Sequence, residues 1–487
     1  MDFQQIIKKH KWIIAIFVIA LLIRIIFVFS TPVKIWDETV YANLGYNLAR
    51  NSLDYSVANN GWSDYIPSGG DSFYAWPKMG FRAPLLSYLI SIFYFLNLGF
   101  LINFLMPLVG ALSAILIYKL GKELFNKKVG LYSAILFLLI PLHVVYSGKI
   151  LTGVLFTFFV LLTFLSFWKG YEKNDKKHKV LFGVFLALAL LSRYTALWIM
   201  PIFLLYFLVR DKTLKFLKDK HLWYSILAFF VTLIPWFIYG VFQYNNPLGA
   251  FIHGFKASGY WGGLQSWTFF FQHWWQMFSI IGFVFVIALI YILYKKDFFK
   301  KEIYLLLIWF AFFLGMAIYM PHKEDRFILA IVPTIALISG YFIDKIKKYK
   351  KIILVLIIII TLFSLSSQFY TTYNNSYTGT NKCFLESTNF LKEVGGNSVI
   401  ITDESTVVYY YTKLETHFYP NPWNYRTLQS WVKSDYSDKQ VYALFGDYII
   451  KPDGESKRIK EDLGNNFDKI WECSKEKGYS AIYKISA

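Results

Sequence analysis

The chain has 487 residues and a formal charge of +19, with 56% hydrophobic, 21% aromatic and only 17% charged residues. That balance excludes a soluble globular domain and fits a polytopic membrane protein. A basic surplus of this size could point to nucleic acid, but the basic residues form no single patch: 26 of the 50 Lys and Arg lie in six short stretches (8–11, 119–128, 169–179, 210–220, 295–301 and 345–351) between apolar runs. By the positive-inside rule these stretches are cytoplasmic.

With the amino terminus inside, residues 12–29 make the first outward span. A charged start before an apolar stretch resembles a signal peptide. No small-residue cleavage site follows and the stretch is long, so it is read as a retained span. Residues 30–83 form a long outer loop rich in Gly, Pro, Ser, Asn and aromatic residues, opening on Lys34-Ile35-Trp36-Asp37-Glu38-Thr39-Val40-Tyr41. Residues 84–96 are short for a span and dip partway or lie at the interface. Runs 99–120, 129–147 and 150–168 then go in, out and in, the last two joined by a tight outer turn at Gly148-Lys149.

Residues 180–209 have basic flanks on both sides, so a single crossing would break the charge rule. A hairpin of two short helices is expected instead, its outer tip at Ser192-Arg193-Tyr194-Thr195. Run 222–242 goes out, an aromatic outer loop spans 243–276, and 277–294, 303–320, 327–342 and 352–367 complete about eleven crossings. Each full-length run suffices to cross a hydrocarbon core about 30 Å thick.

The tail from Tyr370 holds 14 basic and 15 acidic residues, so the positive excess belongs to the membrane part. This shift predicts a boundary near Phe369, between a transmembrane domain (1–369) and an extracytoplasmic domain (370–487). Strand-like runs at 399–402, 441–445 and 481–485, separated by helical stretches, predict a small α/β domain. It carries both cysteines, Cys383 and Cys473. An outer location permits a disulfide between them, and the sequence leaves the pairing open.

Four polar clusters fall on the outer side in this threading: Asp37-Glu38, Lys149 with Thr152, Arg193 with Tyr194, and His322-Lys323-Glu324-Asp325-Arg326. A carboxylate pair at the membrane mouth suits a general base acting on a hydroxyl, and cations beside it suit a phosphate leaving group. Lys149 and Arg193 also suit plain snorkelling to headgroups. Trp261, Trp267, Trp274 and Trp275 could stack on sugar faces or, as interfacial Trp commonly does, anchor at headgroups. Tyr41, Trp261, Glu324 and Asp325 are candidates for contact with acceptor or sugar. No metal-ligand set and no cofactor motif is evident. Acidic residues of the membrane part all lie in loops or at span ends, which weighs against an ion or proton path and hence against a flippase or transporter. A non-catalytic glycan-binding subunit is the other alternative, drawn from the aromatic loop and the outer domain.

Pro321-His322-Lys323-Glu324-Asp325-Arg326-Phe327 resembles the His-Lys-Glu-x-Arg-Phe motif of dolichyl-phosphate-mannose-dependent mannosyltransferases that build lipid-linked oligosaccharides and GPI anchors. Trp36 to Tyr41, with Phe81-Arg82-Ala83-Pro84-Leu85 closing the loop, resembles the protein O-mannosyltransferase and aminoarabinose transferase branch. Both belong to the glycosyltransferase C superfamily. The resemblance implies a polyprenyl- or dolichyl-phosphate sugar donor and inverting transfer by a membrane hexosyltransferase of one sugar, mannose or a relative, to a glycan, lipid or protein hydroxyl. It implies Asp37 as catalytic base with Glu38 in support, and His322, Lys323 and Arg326 near the donor phosphate, with Arg82 helping to close the site. Lys149 and Arg193 join the phosphate group on topology alone. Many relatives carry an acid after the Ile150-Leu151-Thr152 position, where Gly153 stands here. The oligosaccharyltransferase signature Trp-Trp-Asp is missing, so en bloc transfer to Asn is not expected.

Overall fold

The structure is a computed structural model that describes residues 3–57, 79–213, 215–260, 265–419, 423–447, 455–476 and 478–486. In chain order the helices are α1 (Phe3–Val28), α2 (Trp36–Arg50), α3 (Leu85–Phe95), α4 (Ile102–Leu124), α5 (Lys127–Leu139), α6 (Pro141–Ser147) and α7 (Thr152–Phe167). Then come α8 (Lys176–Ser192), α9 (Ile199–Asp211), α10 (Lys220–Tyr244), α11 (Gly249–Tyr260), α12 (Phe269–Gln272), α13 (Trp274–Lys295), α14 (Lys301–Tyr319), α15 (Val332–Lys345) and α16 (Lys350–Ser376). The remainder alternates α17 (Gly379–Glu393), β1 (Ser398–Ile401), α18 (Ser405–Thr412), β2 (Glu415–His417), α19 (Tyr425–Asp435), β3 (Gln440–Gly446), α20 (Glu455–Asn466), β4 (Asp468–Lys475) and β5 (Gly478–Ile485). These elements sort into two compact units, 1–29 with 80–86 and 103–369, and 30–79 with 87–102 and 370–487.

The first unit is helical. Among the described residues of the chain, nine helices are long and apolar enough to cross a membrane, and ten if α5 and α6 count as one span bent by 59°. The bend has a local cause: Pro141 supplies no backbone N–H and drives Ile140 to an extended ψ of 116°. The eleventh expected crossing corresponds to α8, whose 17 residues begin Lys176-Lys177-His178-Lys179 and so leave a short apolar part. The hairpin expected at 180–209 does form. The chain breaks at Arg193 between α8 and a 3-10 turn (Tyr194–Trp198), and Phe182 meets Phe203 at 4.8 Å between ring centroids, so α9 folds back along α8.

Tight approach replaces hydrophobic drive where helices meet inside a bilayer. A Cβ on Gly183 would collide with the Ser225 carbonyl oxygen, so α8 and α10 touch backbone to backbone there. Phe164 stacks on Trp309 at 3.7 Å, and the indole donates to the Ala330 carbonyl at 2.9 Å. The basic loops are ordered by their few acids. Asp175 and Asp219 cap α8 and α10, Lys179 pairs with Asp219 at 2.6 Å, and Glu172 accepts from Arg210 and Lys301 at 2.6 and 2.7 Å. One polar group lies deeper. Arg24 of α1 is fully buried, donating to Ala20 O at 3.0 Å and to Leu138 O at 3.4 Å beside the α5–α6 bend, and facing His143 Nδ1 at 3.1 Å.

In the second unit a five-stranded sheet has the order β2-β1-β3-β5-β4, with β2, β1 and β3 parallel and β5 antiparallel to both β3 and β4. All three expected strands are present, and β2 and β4 are additional. Val399, Ile401, Val441, Ala443 and Phe445 pack with α19 and α20, while Ile400, Tyr442 and Leu444 pack with α17 and α18, so the sheet is covered on both faces. A disulfide joins Cys383 of α17 to Cys473 of β4, with Cα atoms 5.4 Å apart. Helix α2, read from the sequence as part of the first outer loop, belongs to this unit by compactness. It lies on α18: Asn43 Nδ2 donates to Thr406 O at 2.8 Å, and Thr39 Oγ1 lies 3.4 Å from Thr406 Oγ1.

Candidate functional site

Three of the four sequence-predicted polar clusters belong to the first unit, and they come together. The segment after Pro321 turns into a 3-10 helix (Asp325–Ile331) that runs into α15, so its charged residues sit at the mouth of a span. Glu324 is the bridge. Its Oε1 accepts from Arg326 Nη2 at 2.7 Å and meets His322 Nε2 at 3.1 Å. Phe327 then collects two guanidinium groups, Arg193 at 4.8 Å and Arg326 at 5.9 Å from the ring centroid. From the turn after α6, Lys149 lies over Tyr146 at 5.1 Å and within electrostatic reach of Asp325, and Tyr146 itself meets the Arg326 backbone.

Arg82 reaches this unit through its own backbone. Tyr194, next to Arg193, donates its hydroxyl to Gly80 O at 2.7 Å, with Arg82 O at 3.5 Å, and accepts from Trp236 Nε1 at 2.9 Å. The end of the first loop is thereby tied to the α8–α9 tip. Lys323 behaves differently from its neighbours. It is 4% exposed, and its ammonium donates to Met320 O at 2.7 Å and Gln265 O at 3.0 Å, while its amide donates to Gln265 Oε1. Its charge fastens the 320–323 turn to the preceding loop. With Lys323 so committed, Lys149, Arg193 and Arg326 stand against Glu324 and Asp325, a surplus of one positive charge. Gly153 packs where the acid of many relatives is expected, and a Cβ there would approach Leu329 Cδ1 to 2.5 Å.

One residue of this cluster escaped sequence reading. His273, at the amino end of α13, places Nδ1 3.3 Å from Asp325 Oδ1. A lone His in an aromatic loop carries no sequence signal, since the carboxylate beside it lies 52 residues further along the chain. Of the aromatic loop, Trp267 and Trp275 are 67% and 47% exposed, which suits headgroup anchoring, and Trp261 lies outside the described residues.

Asp37 and Glu38 stand in the second unit, in the first turn of α2, where the positive end of the helix dipole favours acidic side chains. The pair is divided. Glu38 is 1% exposed, accepts from its own Ile35 N–H at 3.2 Å and lies 3.8 Å from Lys34 Nζ, closing the end of the helix. Asp37 is half-buried. Tyr411 of α18 accepts from Lys34 N at 2.9 Å and donates to Pro32 O at 3.2 Å, and Trp36 packs tilted against Phe418 at 5.8 Å, so the turn bearing Asp37 is held by Tyr411 and Phe418 within this unit. Tyr41 is 8% exposed and faces the interior, with its carbonyl accepting from Ser87 Oγ at 3.4 Å. No group of three or more His, Cys, Asp or Glu able to hold a metal ion occurs among the described residues.

Residues 81–239 match the family described as dolichyl-phosphate-mannose-protein mannosyltransferase. No curated protein matches the chain. In three dimensions the chain is similar to ArnT from Cupriavidus metallidurans bound to undecaprenyl phosphate, with a TM-score of 0.73 at 11% identity over 98% of each chain. ArnT in the apo state gives 0.71 at 12% identity over 99% of each chain. The archaeal oligosaccharyltransferase AglB from Archaeoglobus fulgidus, in complex with an inhibitory peptide and a dolichol-phosphate, gives 0.56 at 15% identity over 90% of this chain and 70% of that one. The chain has the ArnT-like glycosyltransferase C fold, with its membrane helices and small carboxy-terminal α/β domain.

Proposed function

We propose that this multi-pass membrane protein is an inverting glycosyltransferase that moves one sugar, mannose or a relative, from a polyprenyl-phosphate donor to an acceptor hydroxyl on a glycan, lipid or protein. The observation that carries the reading is the meeting of Lys149, Arg193 and Arg326 around Tyr146 and Phe327, with a net positive charge. Transfer from a phosphodiester leaves a phosphomonoester with one more negative charge. A cation about 4 Å away is worth about 4 kcal/mol at an effective dielectric of about 20, before desolvation is subtracted. The surplus positive charge therefore matches the one negative charge that develops, without a metal. ArnT was solved with undecaprenyl phosphate and AglB with a dolichol-phosphate, ligands of the same chemistry.

Asp37 is the base in this reading, taking the acceptor proton as the acceptor oxygen attacks the anomeric carbon from the face opposite the phosphate. Glu38 and Lys323 hold their segments in place. The basic stretches put the amino terminus in the cytoplasm and the reaction on the outer face. The test is transfer by the purified protein from a polyprenyl-phosphate mannose to membrane extract. Asp37→Asn should reduce transfer at least a hundredfold and leave donor binding intact, and normal transfer by that variant would sink the assignment. Arg326→Ala should mainly weaken donor binding.

A further inference from the structure

We propose that His273 holds a proton against the departing phosphate oxygen, with Asp325 fixing its ring. The proposal rests on the glycosyl-transfer reading above. His273 Nδ1 lies 3.3 Å from Asp325 Oδ1, and both atoms are shielded from solvent. The ring is set edge-on to Phe269 at 4.3 Å between centroids. The side chain as a whole is 36% exposed. Since Nδ1 is the covered nitrogen, the open part of the ring is the Nε2 side. In the imidazolium form Nδ1–H faces the Asp325 carboxylate, and Nε2 carries a proton that donates outward. Asp325 in turn feels Lys149 and Glu324, and Tyr146 feels Asp325, Arg326 and Glu324, so the His273–Asp325 pair belongs to the cation cluster through Asp325.

The step balances. The acceptor oxygen bonds to the anomeric carbon, the bond from that carbon to the phosphate oxygen breaks, and its electron pair stays on the phosphate. The Nε2 proton passes to that oxygen, neutral His273 regains a proton from water, and the acceptor's proton goes to Asp37 and then to water. Nothing is oxidised or reduced. Because the imidazole must enter protonated, the His273 contribution is present at low pH and lost as pH rises. The charged and titratable groups around the pair are Lys149, Glu324, Tyr146 and Arg326, with His322 against Glu324.

The experiment uses the full chain in lipid nanodiscs, with undecaprenyl phosphate as binding probe and polyprenyl-phosphate mannose for turnover, at pH values from about 5.5 to 9. His273→Gln should lower transfer about a hundredfold. It should also weaken probe binding about tenfold at the acid end and remove the difference in pH dependence from wild type. Asp325→Asn should move the alkaline loss to lower pH, and His322→Gln should leave that loss in place. Thermal unfolding of each variant separates misfolding from loss of the proton. If both His273→Gln and His273→Ala keep wild-type binding and pH profile while Arg326→Ala weakens the probe, the proposal falls and the donor reading stands. If Arg326→Ala binds the probe as wild type does, the donor reading itself falls. If binding depends on His273 and Arg326 but no transfer occurs, the phosphate contact stands and the transferase reading fails.

Discussion

At the scale of single residues, side chains adjacent in sequence divide their labour. Asp37 and Glu38 form one acidic pair in the sequence, yet a turn of helix sends Glu38 back to its own amide and leaves Asp37 half-buried. That division was not legible beforehand, because it needs the knowledge that a helix starts at Trp36, and Ile35 is an unusual residue to start from. Lys323 is a similar case, since a motif lists its charge but not the carbonyl oxygens that take it up. A third carboxyl in the second unit, Glu404, has its pKa pushed up to about 8 by burial and then by Asp403 beside it, from an ordinary value of 4.5. Between those two values the folded chain holds a proton that the unfolded chain has released, so stability falls as pH rises through the window. Glu404→Gln should flatten the fall in melting midpoint between about pH 5 and 8 and raise the midpoint at the alkaline end; an unchanged slope would show that Glu404 does not couple folding to pH.

At the scale of elements, apolar length and flanking charge made nearly every span legible, and the doubled-back pair at Arg193 followed from charge alone. The strands were legible in proportion to their burial. β1, β3 and β5 are apolar runs, whereas β2 has three residues and β4 is a charged edge strand reading Asp-Lys-Ile-Trp-Glu-Cys-Ser-Lys, whose polarity protects an open edge and hides the strand. Arg24 went unread for a related reason, since one base within the apolar run 12–29 resembles a span end until its partners at Leu138 and His143 are known. The clasp of α18 on α2 is the element contact with the most direct bearing on Asp37. Asn43→Ala removes the hydrogen bond to Thr406 O and leaves a buried carbonyl without that donor, which costs about 1 to 3 kcal/mol. Amide hydrogen exchange should accelerate in α2 and α18 together and stay unchanged in α8 and α10. Protection retained in α2 would mean the clasp contributes little.

At the scale of the whole molecule, compactness groups residues 30–79 and 87–102 with 370–487, a grouping to which the charge shift near Phe369 gives no clue. Such long-range grouping rests on contacts like Tyr411 with Lys34, separated by 377 positions, for which local sequence has no signature. The disulfide closes a loop of 90 residues between α17 and β4, and a cross-link of that span stabilises by about 4.6 kcal/mol in the chain-entropy account. Cys383→Ser with Cys473→Ser should therefore lower the melting of the α/β sheet far more than that of the membrane helices, as two separated transitions in calorimetry. A single unshifted transition would contradict this.

The clasp of α18 on α2 also governs how such a protein can be recombined. A chimaera cut at position 369, grafting a foreign tail onto these spans, would separate Thr39 and Asn43 from Thr406, and Lys34 from Tyr411. Residues 30–57 and 370–487 therefore form one exchangeable cassette despite being discontinuous in the gene. In a library of hybrid chains, those that inherit both pieces from one parent should be the survivors, and the residues at positions 39 and 43 should co-vary with the tail rather than with the spans next to them.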